Sequence, residues 1–117
     1  MNINVIVRNL LQYSILLKLY HWKTKMYVRH VASDQLYKHI NEFTDQLVEY
    51  YQGRNPLINI DNQCISIYNV NDDNVISFLE NLNKFITLIS IANKGIIAKR
   101  DELIGFVDQA LYLFTLH

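Results

Sequence analysis

The chain has 117 residues, half of them apolar, which suits one domain over residues 1–117 with a real buried core. Eleven basic residues offset eleven acidic ones, so the broad attraction that drives non-specific DNA binding is missing and DNA is not an expected partner. Cys64 is the single cysteine, which excludes an internal disulfide; with no Cys-x-x-Cys mate and no adjacent cation it reads as a buried, inert thiol in a reducing compartment.

The opening stretch MNINVIVRNLLQYSILLKLYHW is apolar, but Asn2, Asn4, Arg8, Asn9 and Lys18 interrupt it before it reaches the length of a signal core or a membrane span. It reads as a core helix over 3–24, with Ile6, Leu10, Leu17 and Tyr20 at helical spacing. A cytoplasmic location is expected, or the virion for a viral protein, and not a secreted one. A second helix spans 28–52, where Leu36, Ile40, Phe43, Leu47 and Tyr51 share a face and Gly53 with Asn55-Pro56 ends it.

The stretch RNPLINIDNQCISIYNV follows, with alternating Ile60, Ile65 and Ile67 that look extended. Its length of about 17 residues, at roughly 3.3 Å each, would run the length of a bundle. A third helix is expected over 73–92, after the capping run Asn71-Asp72-Asp73, ending near Asn93-Lys94-Gly95. A fourth begins near Ala98, with Asp101 and Glu102 in its first turn and Leu103, Phe106, Val107, Ala110, Leu113 and Phe114 facing inward. The fold class is all-α: a four-helix bundle with one long crossover between helices two and three, as in ferritin-like folds, although an up-down bundle with a loose loop fits the same pattern.

Three of the four histidines lie in the stretch from Lys18 to Gly53. On the second helix His30 and Asp34 are four apart, as are Asp45 and Glu49, so each pair projects on one side with Cβ atoms about 6 Å apart. Three turns, about 16 Å, separate the pairs, so one ion cannot reach both on a single helix. Both pairs are centred on the same point, between His39 and Ile40. Two copies packed antiparallel about a two-fold axis there would bring His30 and Asp34 of one chain to Glu49 and Asp45 of the other, with His21 as a further ligand. Imidazole with carboxylates suits iron, zinc or manganese. The same residues also fit a plain solvated face, with Lys38 placed to pair with Asp34 or Glu42. Trp22 reads as a core or interface anchor, and His39 is given no chemistry.

The pattern His21-Trp22, His30-x3-Asp34 and Asp45-x3-Glu49 resembles the ligand segment of Dps-like mini-ferritins, in the ferritin-like superfamily. That resemblance implies a ferroxidase site shared across a two-fold dimer: His21, His30 and Asp34 from one subunit, Asp45 and Glu49 from the other. The likeness covers the segment Lys18–Gly53 and is architectural elsewhere. The His21–His30 gap is shorter than in that family, and a Lys-rich N-terminal tail of the kind some of its members carry is not expected here. The HW-x-T-K-x-Y opening and LYLFTL end are also similar to proteins of phage and giant viruses. The expected function is oxidation of Fe(II) by peroxide or oxygen in a homodimer or higher oligomer. The alternative is a structural or interaction protein built on the same bundle.

Overall fold

The computed structural model describes residues 2–116. Helix α1 spans Ile3–Lys23, α2 Tyr27–Gln52, α3 Val75–Thr87 and α4 Lys94–Leu113, with no strand among the described residues. None of these helices is long and apolar enough to cross a membrane. Helix α1 packs on α2, α2 on α4 and α4 on α3, and the Tyr13 ring closes the circle against Phe78 and Phe85 of α3, at 5.4 and 5.6 Å between centroids. The architecture is an all-helical bundle of four.

Local chemistry sets each boundary. The Asn2 side chain accepts from Val5 N and starts α1, whereas Thr24 turns extended and stops it. The Thr24 hydroxyl accepts from Met26 N in the tight turn to α2. Before α3, Asn71 Oδ1 accepts from Asp73 N and Asn74 N, an Asx turn that aims the helix. Of the anticipated inward positions, Ile6, Leu10, Leu17, Tyr20, Leu36, Ile40, Phe43, Leu47, Leu103, Val107, Ala110 and Phe114 are buried, whereas Tyr51, Phe106 and Leu113 are only partly so and pack against the core from its edge.

The later boundaries differ from the sequence expectation. Helix α3 stops at Thr87, several residues early, because the chain tightens through Leu88 N to Phe85 O and Ile89 N to Ile86 O and tucks Ile89 fully into the core. The Ile89 carbonyl is then taken by Arg100 Nη1 at 2.7 Å. Helix α4 starts at Lys94 rather than near Ala98, since the Asn93 side chain caps it by accepting from Ile96 N at 3.0 Å. Gly95 therefore lies inside the first turn, and Asp101 and Glu102 lie beyond it.

The segment between α2 and α3 lies along α1. Asn59 N donates to Asn4, Arg8 Nε to the Cys64 carbonyl, Ser66 N to Gln12, and Lys23 Nζ to Asn69, so contacts progress from one end of α1 to the other. Asn62 adopts φ 65°, a left-handed turn that asparagine tolerates. Cys64 is exposed, not buried: the segment gives its backbone to Arg8 and leaves the thiol in solvent. Ile67 is exposed as well.

Candidate metal site on the first helix hairpin

His21 closes α1 and His30 lies in the first turns of α2, and the short turn between them brings their rings into a stack at 4.0 Å and 17°. Each ring bonds the other's backbone: His21 Nδ1 is 2.6 Å from the His30 carbonyl, and His30 Nδ1 is 2.9 Å from the His21 carbonyl. A carbonyl only accepts, so both Nδ1 atoms carry a proton and donate. Ser33 Oγ also donates to the His30 carbonyl at 3.1 Å. Both residues are half-buried, neither Nε2 is bonded within the described chain, and neither is among the fully buried unpaired atoms. The neutral form of each ring thus keeps its Nε2 lone pair open to solvent.

Asp34 is already occupied. Lys18 Nζ lies 3.0 Å from its Oδ1 and Lys38 Nζ 3.3 Å from its Oδ2. The Lys18 hydrogen bond, with Lys38 adding to it, outweighs partial burial and holds this carboxyl below the usual carboxylate range. Asp45 and Glu49 are exposed, on the solvent side of α2. One chain therefore brings together two of the five anticipated ligands, His21 and His30. Among the described residues, no three His, Cys, Asp or Glu side chains converge as a metal-holding group. Trp22 is 67% exposed, so it is not a core anchor, and His39 stacks on Phe106 of α4 at 3.5 Å.

A polar knot that the sequence did not suggest lies at the same end of the bundle. The Asp72 carboxylate accepts from Tyr20 OH at 2.6 Å and Thr24 Oγ1 at 2.8 Å. Buried Arg29 donates to the Asp72 carbonyl at 3.0 Å and the Phe114 carbonyl at 2.9 Å, with its guanidinium 5.3 Å from the Phe114 ring centroid. Burial and the bond to Asp72 push the Tyr20 hydroxyl up to about 12. Burial works against charge on Asp72, but the bonds from Tyr20, Thr24 and Arg29 prevail and hold its carboxyl low. This knot ties both ends of the hairpin turn to the start of α3 and the end of α4. Arg29 falls in register with Ser33, Leu36 and Ile40 on the buried face of α2, and that register was the available signal.

Neither a curated protein nor a solved structure matches the chain. A family model does match, over residues 21–114, a span that begins at His21 and takes in the rest of the hairpin site. With most of its length covered by that model, the chain belongs to the family described as a family of unknown function, DUF5856.

Proposed function

We propose that the chain is a ferritin-like bundle that takes Fe(II) as its substrate and oxidises it with peroxide or oxygen at sites completed across a two-fold dimer. The observation that carries this reading is the histidine pair. Metal-binding imidazoles characteristically donate one ring N–H to a carbonyl and so fix the other nitrogen as the ligand, and both His21 and His30 have that arrangement. Asp34, one turn beyond His30, would add a harder carboxylate oxygen to the imidazole nitrogens, with Asp45 and Glu49 of the partner subunit completing the set. Zinc and manganese suit the same donors.

Two features of the fold support this reading. The connection that follows α1 from end to end starts α3 at the end where α2 starts, which supports a ferritin-like crossover. On α1, Ile15 and Trp22 stand two turns apart and exposed, apolar area suited to a partner helix pair. In the reaction, each of two Fe(II) ions gives up one electron, and one peroxide accepts both with two protons to leave as two waters. The chain's part is to hold the ions on fixed imidazole nitrogens and to balance the added positive charge with carboxylates. The scaffold reading is favoured by one observation, the lysine pair on Asp34.

Anaerobic Fe(II) titration followed by peroxide, with mass measured in solution, tests the proposal. About two Fe(II) per dimer are expected. His30→Ala and Asp45→Ala should each abolish uptake. Because Asp45 and Glu49 are exposed, their joint replacement by Ala should change the stability of the metal-free chain by no more than about 0.5 kcal/mol. Full stoichiometry in Asp45→Ala would refute the shared site.

A further inference from the structure

We infer that Lys18 is a gate on the metal site, its ammonium holding Asp34 until a metal ion displaces it; the inference rests on the metal-binding reading above. The two carboxylate oxygens of Asp34 are divided between two ammonium groups, Lys18 on Oδ1 at 3.0 Å and Lys38 on Oδ2 at 3.3 Å. The two lysines are not equivalent. Lys38 comes from the same helix and its side chain is 72% exposed, so it leaves the carboxylate for water at little cost. Lys18 reaches across from α1 and is only 30% exposed.

A divalent ion on Asp34 and an ammonium within hydrogen-bond distance of the same carboxylate repel each other, so the two occupancies exclude one another. Lys18 has a place to go. Its Nζ already lies 4.7 Å from the Tyr37 ring centroid, and Tyr37 is one turn from Asp34 on α2. Rotation of the flexible stem toward that ring would clear the carboxylate while the cation keeps a favourable neighbour. In the metal-free protein the same ammonium neutralises a carboxylate that would otherwise face the partner's acids across the dimer axis. Lys18 is thus a positioning residue that sets metal affinity without touching the metal.

The experiment measures Co(II) affinity by its visible absorption and by equilibrium dialysis, on the full chain of wild type, Lys18→Met, Lys18→Arg and Lys38→Met. Methionine keeps the aliphatic stem and removes the charge; arginine keeps the charge and grips a carboxylate with two donors. Lys18→Met should tighten Co(II) binding about tenfold, Lys18→Arg should weaken it, and Lys38→Met should change it less than about threefold. Circular dichroism checks that each variant is folded. If wild type binds Co(II) and Lys18→Met binds no more tightly, the gate is refuted and the metal reading stands. If no folded variant binds Co(II), the metal reading fails and the gate with it. Uptake by Lys18→Met alone would support the gate in its strongest form.

Discussion

Replacing Arg29 should destabilise the protein more than replacing any other charged residue of α2. Its guanidinium is buried and makes charge-assisted bonds to two backbone carbonyls, those of Asp72 and Phe114, each worth roughly 1.5–3 kcal/mol. Two factors reduce the total. Arg29 Nε is buried without a partner, a cost that disappears with the side chain, and Asp72 keeps its bonds from Tyr20 and Thr24 when the arginine is lost. Two such bonds sum to at least about 3 kcal/mol, and these offsets hold Arg29→Ala at that lower end, at about 3 kcal/mol. At about 4 °C per kcal/mol for a domain of this size, the melting midpoint should fall by roughly 12 °C. Arg29→Met, which keeps the apolar stem against Phe114, should lose about 2 kcal/mol. A double-mutant cycle with Asp72→Asn should show coupling of only about 1 kcal/mol, because the Arg29–Asp72 carboxylate approach is 3.6 Å, that side chain is 37% exposed, and the bond to its main-chain carbonyl survives the substitution. Urea unfolding followed by circular dichroism measures all of these. A loss below 1 kcal/mol in Arg29→Ala would refute the reasoning.

At the other end of the bundle, Asn93→Ala removes the side-chain acceptor for Ile96 N and should cost about 1 kcal/mol, with faster amide exchange confined to the first turn of α4. In acid, Asp34 and Asp72 act together. Both carboxyls are held below the ordinary value of 3.8, so their contribution is fully present above that pH and is lost as pH falls through their lower folded-state values. The thermal midpoint of wild type should therefore fall below about pH 4 more steeply than that of the Asp34→Asn/Asp72→Asn double variant. Parallel curves would contradict the assignment.

Helix count, the span of α2 and most of the core were legible because apolar spacing reports directly which face of a helix is buried. The boundary between α3 and α4 was not, because Asn93-Lys94-Gly95 carries both a start signal and a stop signal, and only the bond from Ile96 N to Asn93 decides between them. The candidate ligands could be named, but their local partners could not all be found. Lys38 is four residues from Asp34, a spacing the sequence displays; Lys18 is on another helix and meets Asp34 only after α1 and α2 pack. Arg29 escaped notice since a charged residue is ordinarily assigned to the solvated side. The exposure of Cys64 was not legible because the absence of a Cys-x-x-Cys mate and of an adjacent cation bears on reactivity and not on burial, and its segment runs over polar side chains of α1, where Arg8 takes the Cys64 carbonyl.

The bond from Arg29 to Phe114 also sets an order of events during synthesis. Its partners are 43 and 85 residues further along the chain, so the guanidinium emerges from the ribosome long before either carbonyl exists to receive it. Until then Arg29 stays a hydrated cation, and the hairpin of α1 and α2 depends on contacts it makes alone: Ser14 to Asn41, Lys18 to Asp34, and the crossed histidine bonds. Dehydration of that cation is thereby deferred to the arrival of residue 114, and a nascent chain stalled before that point should carry a formed hairpin whose turn end remains open to water at Arg29.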